Sequence, residues 1–211
     1  MIKPIETVYN GIKFRSRLEA RWAIFFDAAR IDYLYEAEGY KGFNDEWYLP
    51  DFFLPKFGVH CEVKPNDEEL FKDRYKLGAL IDFDSSPISN GLIILGQIPF
   101  YEADIPNGNI EYPAHDMLYW DEGVVLKRVR FKMRRHNYPT ELITVEDFID
   151  SNTLEIPNKT TTNATLYDES GAGDKDTGLE WYAYMAARQA RFEHGETPTP
   201  KQVRETMFDV I

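Results

Sequence analysis

The side chains with the clearest chemical potential lie in YLPDFFLPKFGVHCEVKP, residues 48–65. Asp51 follows a proline, and Glu62 and Lys64 stand two positions apart in otherwise apolar sequence. Because successive side chains of a strand point to opposite faces, Glu62 and Lys64 share one face, and their apolar neighbours share the face toward the core. If the two halves of the segment pair as a hairpin across KFG, Asp51 reaches the same point.

Two carboxylates and one ammonium converge in this arrangement. Neighbouring carboxylates repel each other unless a positive group lies between them. Carboxylate oxygens are hard ligands of the kind that Mg²⁺ and Mn²⁺ prefer. The pattern therefore predicts a magnesium or manganese site, and the alternative for Glu62 and Lys64 is an exposed ion pair worth about 0 to 1 kcal/mol.

Periodicity and turn signals predict the elements that position these side chains. NGLIILGQI is the most apolar of the predicted strands, which favours a central, parallel position in the sheet. In chain order we expect a hairpin over 7–14 turning at Asn10-Gly11, a helix over 16–30, strands over 32–40, 46–54 and 58–64, a helix over 66–83, a strand over 90–98 and a closing helix over 179–193.

The sum is an α/β fold. Residues 1–136 are expected to form the core. Residues 137–178 have little periodicity and are rich in Thr, Asn and Gly, which predicts an irregular extension or linker. Residues 179–211 are expected to form a C-terminal helix and tail packed on the core.

The net charge of −12 argues against binding nucleic acid through an overall positive field. Residues 127–135, KRVRFKMRR, nevertheless contain six Lys or Arg in nine positions. The alternation predicts a strand with one apolar and one cationic face. That face either tracks DNA phosphates or is a solvated face that balances nearby carboxylates. Its candidate DNA-binding residues are Arg128, Arg130, Lys132 and Arg134.

The chain has one cysteine and no apolar run of about 18 residues, and its N-terminus lacks the apolar region of a secretion signal. These features predict a cytoplasmic protein without a membrane partner. His60 shares the predicted face of Glu62 and Lys64 and is a minor candidate for substrate contact. His115, His136 and His194 show no ligand spacing and are expected at the surface.

The residues around the acidic segment resemble the PD-(D/E)XK nuclease superfamily. Pro50-Asp51 matches the first half of its signature, and Glu62-Val63-Lys64 matches the second half. YNGIKFRSRLEARWAIFFDAARIDYLYEAEGY resembles the leading helix and strand of small nuclease-like proteins of phages and prophages, and ARQARFEHGETP resembles their C-terminal helix. The resemblance implies a restriction-endonuclease-like core, with a mixed central sheet flanked by helices and a C-terminal extension ending in a helix.

The resemblance also implies roles for the matched residues. Asp51 and Glu62 would bind the metal, and the carbonyl of Val63 would be a further ligand. Lys64 would orient the attacking water or stabilise charge on the phosphate. A phage-encoded protein of this kind would act in the host cytoplasm.

Glu19 has two possible roles. The helix glutamate of the family helps to bind metal, which makes Glu19 a candidate catalytic and metal-binding residue, yet Ser16 to Glu19 also matches a capping box. Glu36, expected on the following strand, is a minor candidate. Arg15, Arg17 and Arg21 flank Glu19 and could grip the DNA backbone, or serve only as solvent-facing cations.

Two classes of function follow. The first is a metal-dependent deoxyribonuclease that hydrolyses DNA phosphodiester bonds. The second is a non-catalytic protein on a nuclease fold that binds DNA or a host DNA-processing protein. Intact Asp51, Glu62 and Lys64 favour the enzyme, and the net charge favours the binding protein.

Overall fold

A computed structural model describes residues 4–42, 45–81, 88, 90–99, 111–120, 124–133, 140–148, 162–165 and 179–192. These residues form a mixed α/β structure. The helices are α1 (Arg17–Ala28), α2 (Asp67–Ile81) and α3 (Leu179–Gln189). The strands are β1 (Thr7–Tyr9), β2 (Ile12–Phe14), β3 (Leu34–Tyr35), β4 (Tyr40–Lys41), β5 (Trp47–Tyr48), β6 (Phe52–Leu54), β7 (Val59–Val63), β8 (Leu92–Leu95), β9 (Glu111–Trp120), β10 (Val124–Lys132), β11 (Glu141–Phe148) and β12 (Thr162–Thr165).

The main sheet has the order β11-β10-β9-β8-β7-β6-β3, and β12 pairs with β9 off this path. Strands β7 and β8 are parallel, and the other pairs of the sheet are antiparallel. The prediction of a central, parallel strand is confirmed for β8, which is parallel to β7 and buried along its whole length. Two small sheets, β1-β2 and β4-β5, complete the described strands.

The sheet lies between two apolar clusters. Ile93 and Leu95 of β8 pack on one face with α1 and α3, whereas Leu92 and Ile94 pack on the other face with α2. This split follows from the alternation of side chains along a strand. The indole of Trp22 also donates to the carbonyl oxygen of Gly96 at 2.8 Å, which ties α1 to the end of β8.

The predicted N-terminal hairpin and the predicted cap of α1 are present, and α2 is capped as well. Asn10 and Gly11 have positive φ angles of 49° and 78°, as a tight two-residue hairpin turn requires. The Ser16 hydroxyl accepts from the backbone N–H of Glu19, and the Asn66 side chain accepts from that of Glu69. Each cap satisfies an N–H that has no partner within its helix.

Some expectations were wrong. Residues 137–178 are not irregular throughout, because β11 and β12 fall within them. Among the described strands, β11 lies at the edge of the sheet, where charged residues are tolerated and the apolar alternation is weaker. Helix α2 is described as far as Ile81, and the predicted continuation over 82–83 lies outside the described residues.

The predicted packing of the C-terminal helix on the core is confirmed over its described residues. Tyr184 of α3 stacks on Phe25 of α1 with ring centroids 4.4 Å apart. Its hydroxyl lies 2.9 Å from Nε2 of His115. His115 is fully buried, so its expected surface position was wrong, whereas His136 and His194 lie outside the described residues. No helix among the described residues is long and apolar enough to cross a membrane.

Candidate functional site

The site lies where β6 begins and β7 ends. Phe52 pairs with Cys61 in the antiparallel register, and one further step along that register sets Asp51 beside Glu62. The backbone N–H of Val63 donates to Oδ2 of Asp51 at 2.7 Å. The hairpin predicted across KFG is therefore confirmed, and it brings Asp51 to the same end of the sheet as Glu62.

Glu62 and Lys64 form the centre of a polar network. The Tyr48 hydroxyl donates to Oε1 of Glu62 at 2.6 Å, and Nζ of Lys64 lies 3.1 Å from the same oxygen. Nζ of Lys64 also donates to Oδ2 of Asp73 on α2. The other oxygen, Oε2 of Glu62, is buried and has no hydrogen-bond partner in the part of the chain that the structure describes. The cluster thus leaves one buried carboxylate oxygen available.

The Glu62–Lys64 pair is not a surface ion pair. The side chain of Glu62 is 6% exposed and that of Lys64 is 11% exposed. The alternative of an exposed pair is therefore wrong, although the pair itself is present. Removal of two charges from water costs several kcal/mol per ion, so packing alone gives no reason to place them here.

Burial and mutual repulsion perturb the carboxylates. Burial raises the pKa of Asp51 well above its usual value, and the charges of Glu62 and Glu19 raise it further. Burial also raises the pKa of Glu62, although Lys64 opposes that shift. Burial disfavours charge on Lys64 as well, but the carboxylates of Glu62 and Asp73 outweigh it and raise the pKa of Lys64. Lys64 therefore stays charged at neutral pH. Asp51 is the carboxylate whose ionised form is disfavoured by burial and by its acidic neighbours.

Glu19 uses its carboxylate to cap α1. Oε1 accepts from the Ser16 hydroxyl at 2.7 Å. Oε2 accepts from the backbone N–H of Arg15 at 3.0 Å and from the Tyr35 hydroxyl at 2.6 Å. Glu19 is nevertheless buried and close enough to raise the pKa of Asp51. The capping role of Glu19 is therefore confirmed, and its role in metal binding stays a prediction.

Glu36 and Arg15 border the site without entering the carboxylate network. Glu36 follows β3 rather than lying in it, so its expected place on the strand was wrong, and it has a positive φ of 45°. Its backbone N–H donates to the carbonyl oxygen of Asp51 at 2.9 Å, and its side chain pairs with Arg15 at 2.5 Å. Arg17 and Arg21 are half-buried on α1.

His60 lies on β7 and is buried. Its Nε2 is 3.1 Å from the Tyr40 hydroxyl, and burial lowers its pKa to about 4. His60 is therefore neutral at pH 7 and contributes no positive charge to the site.

Residues 127–132 of the basic stripe, the cation-rich segment 127–135, lie on β10, a strand between β9 and β11. The apolar half of its predicted alternation is confirmed, because Val129, Phe131 and Met133 are buried. Arg128 lies opposite Asp116 and reaches its carboxylate at 3.5 Å, and Arg130 is 7% exposed. Lys132 is half-buried, and Arg134 lies outside the described residues. The contact of Arg128 with Asp116 favours the interpretation in which the cations balance nearby carboxylates, whereas the burial of Arg130 shows that the solvated position expected for this face was wrong.

We expect Arg128→Gln to lower the free energy of unfolding by about 1 to 3 kcal/mol at pH 7, because Asp116 loses its cation in a buried position. Burial raises the pKa of Asp116 to about 6, and Arg128 opposes that shift. Below that pKa the folded carboxyl is protonated and needs the guanidinium less. Urea unfolding should therefore show a smaller loss at pH 5 than at pH 7. An equal loss at both pH values would contradict this pairing, and in an Asp116→Asn background the pH dependence should vanish.

Two residues of the network were missed by sequence reasoning. Asp73 stands on α2 between Leu70 and Leu77, at helical spacing on the stripe that packs against the sheet. An acidic residue in an apolar stripe is a detectable signal for a buried partner. Tyr48 is the last residue of the short strand β5. Nothing in its local sequence pattern distinguishes it from the other tyrosines of the chain.

Among the described residues, no group of three or more His, Cys, Asp or Glu side chains is arranged to hold a metal ion. Glu19 and Asp73 instead accept hydrogen bonds from protein groups. Asp51 and Oε2 of Glu62 are nonetheless carboxylate oxygens, the type of group that suits a hard cation, and Lys64 pairs with Glu62 and Asp73 beside them. A cation bound by both would relieve the repulsion that raises the pKa of Asp51.

Glu19→Gln separates the two roles of Glu19. An amide can keep a capping oxygen toward Arg15 and donate to Ser16, so we expect a small change in the free energy of unfolding. If Glu19 supports a metal site, the variant should need more Mn²⁺ for half-maximal DNA cleavage. Ser16→Ala is the matched control, because it removes the cap, at a cost of about 0.5 to 2 kcal/mol, and keeps the carboxylate. Cleavage equal to that of the parent at limiting Mn²⁺ would make Glu19 a cap alone.

No family model, curated protein or solved structure matches the chain.

Proposed function

We propose that the protein is a metal-dependent deoxyribonuclease of the PD-(D/E)XK type. The observation that carries this proposal is the buried convergence of Asp51, Glu62 and Lys64 at one end of the β6–β7 hairpin. A buried acidic cluster is costly to maintain, and perturbed carboxylates of this kind concentrate at functional sites. The same three residues form the signature that the sequence resembles.

The arrangement of elements supports a restriction-endonuclease-like core. Helix α1 precedes the antiparallel strands β3, β6 and β7, and α2 then leads to β8, which is parallel to β7. Helices α1 and α2 lie on opposite faces of this sheet. A mixed sheet flanked by helices is the fold that the resemblance implies.

Asp51 and Glu62 would hold Mg²⁺ or Mn²⁺, with the carbonyl oxygen of Val63 as a further ligand. Such a cation neutralises phosphate charge and lowers the pKa of a bound water. Tyr48 holds Oε1 of Glu62, which leaves Oε2 for the cation. The Val63 N–H holds Oδ2 of Asp51 in a fixed position.

Lys64 would orient the attacking water or stabilise charge that develops on the phosphate. Its raised pKa keeps the ammonium charged at neutral pH, so it acts as a fixed cation rather than as a base. Asp73 is a positioning residue, because its bond to Nζ holds the ammonium beside Glu62. The chain thus supplies a positioned cation next to a pair of metal-binding carboxylates.

The second candidate is a non-catalytic nuclease-fold protein that binds DNA or a host DNA-processing protein. The observation that favours it is electrostatic. The net charge is −12, and Arg128 of the basic stripe lies against Asp116. A protein with this balance could occupy a partner's DNA-binding surface through its own acidic surface.

A titration of Mg²⁺ and Mn²⁺ against single-stranded, double-stranded and branched DNA tests the proposal. A nuclease should cleave at least one of these substrates with a saturable dependence on the metal, and EDTA should abolish the cleavage. An absence of cleavage of all three substrates with both metals would favour the non-catalytic candidate.

A further inference from the structure

The outward face of α2 carries cations and aromatic rings, together with the exposed carboxylates of Glu68 and Glu69 that pair with Lys72. Residues 71–76 read FKDRYK, which gives three cations, two aromatic residues and one acid. The acid, Asp73, does not lie on the outward face, because its carboxylate accepts a hydrogen bond from Nζ of Lys64 on the other side of the helix. The outward residues of this turn are Phe71, Lys72, Arg74, Tyr75 and Lys76.

Phe71 and Tyr75 are large rings left in solvent, with exposed fractions of 60% and 64%. They stand four positions apart and therefore lie next to each other on one helix face. Neither ring belongs to the two apolar clusters that hold the described residues together. Their exposure is therefore not explained by folding.

Arg74 contacts both rings. Its guanidinium carbon lies 3.5 Å from the ring centroid of Phe71 and 4.1 Å from that of Tyr75. Its nitrogens donate to the carbonyl oxygen of Phe71 at 2.6 Å and to the Tyr75 hydroxyl at 3.0 Å. A stacking surface that is already ordered loses little conformational entropy when a ligand binds.

The charged residues on this face indicate which kind of ligand it could bind. Lys76 is exposed beside Tyr75, and Lys72 is exposed although it pairs with Glu68 and Glu69. Flat aromatic and guanidinium surfaces next to cations match an unpaired nucleobase with its phosphate, since base stacking on such side chains needs no sequence readout. A duplex keeps its bases stacked on each other and does not offer them to a helix face.

We infer that Phe71, Arg74 and Tyr75 form a stacking platform for unpaired nucleotides of DNA, with Lys76 contacting the phosphate. This inference rests on the proposed function and specifies its substrate as DNA with a single-stranded segment. The platform and the candidate site share one helix turn, because Asp73 bonds Lys64 from the other side of α2. The two are therefore separated by about the width of a helix, 10 to 12 Å.

The test measures binding of a fluorescent single-stranded oligodeoxynucleotide to the full chain in EDTA, so that cleavage plays no part. We expect Phe71→Ala/Tyr75→Ala to weaken binding about ten-fold or more. Lys76→Ala should lower the slope of log affinity against log salt by about 0.7. Met185→Ala, which truncates an exposed apolar side chain on α3, is the matched control and should bind like the parent.

Two further probes identify the contact. An abasic oligonucleotide of the same length should bind the parent protein as weakly as the single-stranded DNA binds the double variant. A blunt duplex should bind the parent and the double variant equally. No binding of single-stranded DNA by the parent, no effect of the double substitution, or an equal loss for duplex and single strand would each overturn the platform. DNA cleavage is measured in a separate experiment with metal present. Its result shows whether the proposed nuclease function holds even if the platform is disproved.

Discussion

Lys64→Met should lower the free energy of unfolding by about 3 to 5 kcal/mol at pH 7, because it leaves the buried carboxylate of Glu62 without its cation. The folded pKa of Lys64 is raised, so its stabilising contribution is fully present below the unfolded pKa near 10.4 and is lost only above the folded value. Urea unfolding without metal measures the loss. DNA cleavage should fall with it.

Glu62→Gln in the Lys64→Met background provides the internal control. Glutamine keeps an oxygen for the Tyr48 hydroxyl but carries no charge, so the double variant should recover part of the lost stability and none of the cleavage. Lys41→Met removes the cation of an exposed pair with Asp45 and should change stability by at most about 1 kcal/mol. A Lys64→Met variant as stable as Lys41→Met would contradict the buried pair.

Asp51→Asn should abolish cleavage and yet stabilise the metal-free protein at pH 7. Because the folded pKa of Asp51 is raised, its ionised form opposes folding, and this penalty is absent below the unfolded pKa near 3.9 and grows as the pH rises toward the folded value. Asparagine keeps an oxygen for the Val63 N–H and removes the charge. The variant should therefore unfold at a higher temperature than the parent at pH 7.

The gain should shrink as the pH approaches 4, which thermal unfolding at a series of pH values can follow. Asp32→Asn is the control, because it removes an exposed carboxylate and should leave the Tm at pH 7 close to that of the parent. A Tm for Asp51→Asn that is below that of the parent at pH 7 would show that the carboxylate stabilises the fold rather than serving the site.

The sequence predicted those parts of the fold that depend on local pattern. The Asn10-Gly11 turn, α1 with its Ser16 cap and the apolar strand β8 follow from backbone preferences and periodicity. Strand β11 was missed because edge strands combine β-branched residues with charges, and its sequence ELITVEDF carries three acids. His115 was misplaced because its burial depends on Tyr184, 69 positions away in the chain.

The sequence predicted part of the candidate site. Alternation along β7 and the short connection to β6 were sufficient to bring Asp51, Glu62 and Lys64 together. The contributions of Tyr48 and Asp73 were not predicted, because both reach the cluster through tertiary packing. The basic stripe was recognised as an alternating strand, but the carboxylate of Asp116 opposite Arg128 depends on the pairing of β10 with β9.

The most direct test of the metal-dependent site is the Mn²⁺-dependent cleavage rate of Glu62→Gln, prepared identically to the parent protein. The substitution keeps the Tyr48 contact and removes the charge of Glu62, whose buried Oε2 has no hydrogen-bond partner among the described residues. We predict that the parent cleaves DNA and that the variant is at least about a hundred-fold slower at saturating Mn²⁺, with its fold intact by thermal unfolding. Equal rates for the two proteins would contradict the assignment of Asp51, Glu62 and Lys64 as a nuclease centre.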